Sequence, residues 1–394
     1  MNFTEKTQKF VILSISNSPW NSPYWTSRQF LTYEISKYVP VIYMEDRSGI
    51  HNLLSRHRKN GLKTQNGAPF ASPENLTVSR VTDFFPRIYR WKKTDGMLCS
   101  LLSRLVKRKY IGKDRRQIVA YLWEPHLHDY IPRLCPDVVV YHIYDKFEKL
   151  APSEAGKTKV RSDENRMIQL ADIVITPHSN IASQLDHDNV HVVPNGIFLP
   201  AFPDPLSKSA PHLTLGGRKP CIGYIGVINS KVDFDTLLFI AQSRPEWSLM
   251  LIGPINSGSW QNQESYHKLK QLNNVHFLPP VPVNRVAEFM TQIDIGLMPY
   301  RLDTWAGFCE SPLKMYQYWG TGLPVITSLP NVHIQTDHLY LAKTPAEWVD
   351  AIEKTLKNES EERKRDRRLL AVENSWERRA RQVVEIISDH LAQQ

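Results

Sequence analysis

The chain has 394 residues, 41% hydrophobic and 23% charged, ordinary for a soluble globular protein and enough for two domains with sizeable cores. No stretch approaches the ~20 apolar residues of a membrane span, and the run Phe10–Ile15 is too short for the core of a signal peptide. The formal net charge is +9, and its uneven placement matters more than its size.

Short apolar, β-branched runs alternate with helical patterns almost throughout, the mark of parallel-sheet α/β domains. The first half offers strands at Phe10–Ser16, Val39–Met44, Leu76–Val81, Ile118–Leu122, Val138–Ile143, Ile173–Ile175 and Val190–Val193. The loop after the first strand carries Trp20 and Trp25, whose rings suit stacking on sugar faces or simple packing equally well. Between Arg87 and Arg116 eleven basic residues face two acidic ones, an excess equal to the charge of the whole chain. Aromatic residues precede a helical run in which Met97, Leu98, Leu101, Leu102, Leu105 and Val106 keep helical spacing. Arg90, Trp91, Lys92, Lys93, Arg104, Lys107, Arg108 and Lys109 would then face an acidic bilayer while the apolar stripe packs inward. The alternative is a solvated basic face. No nucleic-acid module is evident, and the basic stretch has no base-stacking platform.

Further along, Glu124-Pro125-His126-Leu127-His128-Asp129 does not match a helical metal-ligand spacing, and Pro125 argues for a loop. Glu124 and His126 are instead candidate contacts to an acceptor substrate, and no metal site is predicted. Cys99, Cys135, Cys221 and Cys309 form no Cys-x-x-Cys pair and read as reduced cytosolic thiols. The strand Val138–Ile143 leads to Asp145, placed where ligands of open α/β sheets bind or where a carboxylate caps the next helix. A helix from about Val160 to Leu170 feeds the next strand. The composition then shifts to proline and glycine, which predicts a first domain over 1–195, a linker over 196–219, a second domain over 220–373 and a C-terminal segment over 374–394.

The second domain restarts with strands at Cys221–Ile225, Ser248–Ile252, Val275–Phe277, Ile293–Met298 and Pro324–Thr327, and a helix from about Asp233 to Ser243. Gly226, after the first of these strands, allows close backbone approach to a phosphate or makes a plain tight turn. Lys231, Arg301 and Lys314 add positive charge. In Glu310-Ser311-Pro312-Leu313-Lys314-Met315-Tyr316-Gln317, Pro312 can open a helix that places Lys314 and Gln317 on one face near its N-terminus. Such a helix end suits a diphosphate and a ribose, although an ordinary helix–strand connection would read the same way.

This last segment, with Gly320-Thr321-Gly322-Leu323-Pro324-Val325 behind it, resembles the donor-nucleotide motif of two-domain GT-B glycosyltransferases. The pair Lys314 and Gln317 is most similar to the glucuronosyltransferase of xanthan assembly and its surface-polysaccharide relatives. The commoner Glu–seven residues–Glu pattern is only half met, with Gln317 in the second position, Cys309 in the first and Glu310 one place off. Pro194-Asn195-Gly196 resembles the turn at the GT-B domain junction, and Ser375-Trp376-Glu377 the start of the final helix.

The resemblance implies two Rossmann-like α/β domains facing a cleft, the C-terminal helix crossing back to the first. It implies a donor site of Gly226, Lys231, Tyr300, Arg301, Glu310, Leu313, Lys314 and Gln317, with the nucleobase near Gly253, Pro280 and Val281. It implies Asp145 as the general base, with closure about the linker bringing it to the acceptor hydroxyl. The expected activity is metal-independent and cofactor-free transfer from a nucleoside diphosphate sugar, UDP foremost, to a lipid-linked glycan, by an enzyme attached peripherally to the inner face of the cell membrane. A nucleotide-sugar epimerase and a non-catalytic membrane-recruited subunit are the alternatives.

Overall fold

The computed structural model describes residues 9–45, 68–79, 92–108, 116–151, 153–204 and 219–394. The chain divides into two compact units, residues 1–194 with 377–394, and residues 195–376.

The first unit is built on a seven-stranded sheet, β1 (Phe10–Ser16), β2 (Val41–Glu45), β3 (Leu76–Ser79), β4 (Gln117–Leu122), β5 (Val138–His142), β6 (Ile173–Thr176) and β7 (Val190–Val192). Every pairing is parallel and the order is β3-β2-β1-β4-β5-β6-β7. β1, β2 and β5 are buried along their whole length, as strands with both faces covered must be. The longer helices are α1 (Ser27–Ile35), α2 (Lys92–Val106) and α3 (Glu154–Leu170). α3 begins earlier than its apolar spacing suggests because the Ser153 hydroxyl accepts from the Gly156 amide at 3.1 Å and stops the helix end from fraying.

The second unit carries β8 (Cys221–Ile225), β9 (Ser248–Ile252), β10 (Val275–Leu278), β11 (Ile295–Met298), β12 (Val325–Thr327) and β13 (Leu339–Leu341), in the order β10-β9-β8-β11-β12-β13, again all parallel. Its longer helices are α4 (Phe234–Ser243), α5 (Leu313–Gly320), α6 (Pro345–Lys357) and α7 (Glu361–Glu373). The last helix, α8 (Trp376–Gln393), belongs from Glu377 onward to the first unit, so the chain that leaves at Pro194 returns there. Its stripe Ala380, Val383, Val384 and Ile387 is fully buried.

In each sheet the strand order reverses beside its first strand, between β1 and β4 and between β8 and β11. Those are the places where open α/β sheets bind ligands at the carboxyl ends of their strands. Part of the segment expected as linker is packed structure. Ile197, Phe198 and Phe202 are buried, and Ile197 forms a parallel bridge with Ser375; residues 205–218 lie outside the described residues.

Among the described residues no helix is long and apolar enough to cross a membrane. On α2 the apolar residues divide between two faces. Val106 is buried and Leu105 packs against the core, but Met97 is 74% and Leu101 38% exposed, which corrects the expectation of a wholly inward stripe.

Candidate functional site

In the second unit, loops at the switch point bring four of the predicted donor residues together, Gly226, Lys231, Tyr300 and Lys314. β8 leads directly into Gly226, whose φ of +148° is a conformation that side chains rarely adopt. A β-carbon there would collide with the Lys314 stem, and one on Gly253 (φ +145°) would collide with the Gly226 carbonyl. The loop after β8 pairs Ile228 with Ile255 and Val232 with Tyr300, and the Arg301 amide donates to the Lys231 carbonyl at 2.8 Å. This pairing sets Lys231 Nζ 4.8 Å from the Trp305 ring and 5.6 Å from that of Tyr300.

Lys314 approaches the same ring from α5, its Nζ 5.9 Å from Tyr300 and 5.1 Å from Tyr224. Burial, with the Lys231 ammonium second, pushes the Lys314 pKa down to about 7. Among the described residues no carboxylate lies within ion-pairing distance of Lys314. Two cations converging on aromatic faces around a glycine backbone form a site that gains from an anion.

Helix α5 is held firmly. Tyr318 is buried against Gly296, and its hydroxyl accepts from the Ile225 amide at 2.9 Å, at the end of β8. At the helix C-terminus the Arg367 and Arg368 guanidiniums each donate at 2.6 Å, to the carbonyls of Gly322 and Gly320. Pro312 is the cap, one residue before the helix proper. Leu313 and Gln317 are half-buried on α5, Gln317 one turn beyond Lys314. Glu310 is buried, and its carbonyl accepts from His333 Nδ1 at 2.8 Å. Pro280 and Val281 are half-buried just past β10.

Arg301 stands apart, its guanidinium ion-paired with Asp303 at 2.6 Å. It and Tyr300 border a cavity of about 600 Å³ with Asp233, Ser328, Lys343 and Trp348, a cavity that Gly226, Lys314 and Gln317 do not line.

In the first unit the carboxyl ends of β1, β4 and β5 meet in a buried polar cluster. Glu124 accepts from the Ser16 hydroxyl at 3.1 Å, the Asn17 amide at 3.2 Å and the Arg28 guanidinium at 2.9 Å. Arg28 also donates to the Tyr144 hydroxyl and lies 4.3 Å from the centre of that ring. Burial raises the Glu124 pKa, and the Arg28 charge opposes it. Asp145 follows directly, half-buried, with Oδ1 accepting from the Lys146 amide at 2.8 Å. Arg28, Asn17 and Tyr144 carry no sequence signal, because their partner lies up to about a hundred residues away. Nearby, burial lowers the His142 pKa to about 3, and the neutral ring stacks 4.5 Å from Trp123.

One sequence expectation fails in this unit. Trp20 (1% exposed) and Trp25 (4%) pack on each other, on Tyr43 and on Phe30, so neither offers a face to a sugar. The Glu124–Asp129 stretch folds as a 3₁₀ turn over Pro125–Tyr130, with His126 half-buried and the His128 ring between Asp129 (3.4 Å) and Asp163 (3.6 Å). Among the described residues no three His, Cys, Asp or Glu side chains are grouped to hold a metal ion.

Along α2 and the turn that continues it, Met97, Leu101, Arg104 and Arg108 recur at steps of four, three and four residues, and all four are exposed, whereas Lys107 is half-buried. Lys92 and Lys93 open the same helix. Arg90, Trp91 and Lys109 lie outside the described residues.

Residues 219–358 match the family described as glycosyl transferases group 1. Over 284 residues, 67% of either chain, the sequence is 28% identical to a Bacillus subtilis (strain 168) protein named as the teichuronic acid biosynthesis glycosyltransferase TuaH. Among solved structures, sucrose-phosphate synthase from Thermosynechococcus elongatus superposes with a TM-score of 0.64 at 13% identity, covering 98% of this chain and 100% of that one. Anabaena HepE in complex with UDP and glucose gives 0.63 at 14% identity, covering 96% and 99%. The chain is thus a glycosyltransferase of the GT-B fold, and its second unit carries a group 1 glycosyl transferase domain.

Proposed function

We propose that this enzyme moves a sugar from a UDP-sugar to a lipid-linked glycan at the inner membrane leaflet, in the synthesis of a cell-surface polysaccharide. The observation that carries the reading is the convergence of Lys231 and Lys314 on Tyr300, beside the left-handed Gly226 at the switch point of the second sheet. In this reading the two ammoniums and the Gly226 backbone take the diphosphate, and Gln317 takes a ribose hydroxyl, since an amide can both give and accept. The backbone past β9 and β10, at Gly253, Pro280 and Val281, reads the base edge. Asp145, at the carboxyl end of the first sheet, removes the acceptor proton, with Glu124 and His126 on the acceptor side. No cofactor or metal is needed for these steps. The relative named for teichuronic acid biosynthesis and the neighbour holding UDP and glucose support the substrate classes.

Incubation with UDP-sugars and extracted lipid-linked glycan tests the proposal: UDP release should depend on the acceptor. Interconversion of the sugar without acceptor would make the protein an epimerase instead.

The exposed face of α2 supports attachment to an anionic bilayer, with Met97 and Leu101 entering the interface and Arg104 and Arg108 meeting headgroups. Each basic residue near such a surface contributes about 1 kcal/mol. Arg104→Ala with Arg108→Ala should therefore weaken binding to phosphatidylserine-containing vesicles roughly 30-fold at low salt. Equal sedimentation of the double variant and the parent would remove α2 from the contact.

A further inference from the structure

The Pro194-Asn195-Gly196 turn is not used by any step above, yet it grips the helix that presents Lys314. Asn195 is the first residue of the second unit. Its backbone amide donates to the Ser311 hydroxyl at 2.8 Å, and its side-chain amide donates to the Ser311 carbonyl at 2.7 Å. Ser311 is fully buried, and its hydroxyl also meets that of Tyr316 at 3.0 Å, inside α5. Tyr316 in turn meets His333 Nε2 at 3.2 Å.

The far end of the helix meets the residue that follows this turn, Ile197. A β-carbon on Gly320, the last residue of α5, would collide with the Ile197 side chain. Ile197 is itself fixed, its amide donating to the Asn374 carbonyl at 3.0 Å and its carbonyl accepting from the Trp376 amide at 2.9 Å. Gly196 leaves no room for slack, since a β-carbon there would stand 2.8 Å from the Asn374 carbonyl. Three consecutive residues thus set both the start and the end of α5 along its axis.

We infer that Asn195 is a positioning residue for the nucleotide diphosphate: through Ser311 it fixes the register of α5 and so the height of Lys314 beside Gly226. The inference rests on the donor-site reading above. Lys314 lies only three residues past Ser311, and its stem already touches the space over Gly226. A displacement of about 1 Å at a preorganised site is enough to lose much of its effect. Removing the Asn195 amide leaves the buried Ser311 carbonyl without its donor, and the segment before the helix relaxes to find another.

The test is a double-mutant cycle read by calorimetric titration with UDP. Asn195→Ala should raise the Kd for UDP about fivefold to tenfold, the equivalent of one hydrogen bond. Asn195→Asp, which keeps the shape but cannot donate, should do the same. In a Lys314→Ala background neither change should weaken UDP binding further, because the effect passes through that ammonium. A purely structural role would lower the melting temperature and leave the two effects additive, which would overturn the inference. So would an unchanged Kd in both Asn195 variants. If Lys314→Ala alone leaves the affinity at the parent value, the donor-site reading fails instead, and the two failures are distinct.

Discussion

Asp145→Asn should suppress turnover about 10²–10⁴-fold, the usual contribution of a positioned general base, while leaving UDP affinity at the parent value. The separation is sharp because Asp145 belongs to the first unit and the donor cluster to the second. The bond that Asp145 Oδ1 accepts from the Lys146 amide at 2.8 Å can be kept by the carbonyl oxygen of asparagine. Steady-state rates with saturating UDP-sugar and acceptor, beside a UDP titration, read both halves. Parent-like turnover would end the role of Asp145 as base, and a matched loss of UDP affinity would relocate it to the donor site.

Lys314→Met should act in two opposite directions. Without nucleotide the variant should melt at a higher temperature than the parent, by about 2–4 °C for each kcal/mol recovered in a domain of this size. The reason is the desolvated ammonium of the half-buried Lys314: its folded pKa of about 7 lies below the ordinary 10.5, so the unfolded chain holds that proton more tightly than the native one does. The parent should accordingly gain stability as pH rises from about 7 towards 10.5, a gain the variant lacks. With nucleotide the order reverses. A diphosphate favours the ammonium, so binding above pH 7 takes up a proton and parent affinity should fall by at most about tenfold per pH unit. Lys314→Met should bind UDP at least tenfold more weakly, from the loss of a charge-assisted contact worth about 1.5–3 kcal/mol, and show no such slope. Differential scanning fluorimetry between pH 6 and 10, with and without UDP, checks every limb.

Much of the fold was legible because parallel strands buried on both faces are written as uninterrupted apolar runs, as Phe10–Ser16 and Val138–His142 are. β13 escaped notice for the opposite reason: Leu339–Leu341 is a three-residue edge strand with half-exposed side chains and no sustained pattern. The Lys314 helix was legible from Pro312, the spacing to Gln317 and the closing glycines. That Lys231 would meet it across one tyrosine was not, because the meeting depends on two short bridges, Ile228 to Ile255 and Val232 to Tyr300.

Aromatic density misled at Trp20 and Trp25, where the rings fill the space beside Tyr43 instead of lining a surface. The cluster of Arg28, Glu124 and Tyr144 could not be read at all, since the sheet order that joins β1 to β4 and β5 has no local signature. On α2, helical spacing announced an amphipathic helix and puts Met97, Leu101 and Arg104 on one face, but could not say that this face is exposed.

The central claim, a UDP-sugar site on the second unit centred on Lys314, is tested most directly by titrating the purified protein with UDP, GDP, ADP and CMP. The account predicts heat and thermal stabilisation with UDP before the others, abolished or weakened at least tenfold in Lys314→Ala. Binding of none of the four, or UDP binding equally well to the variant, would contradict it.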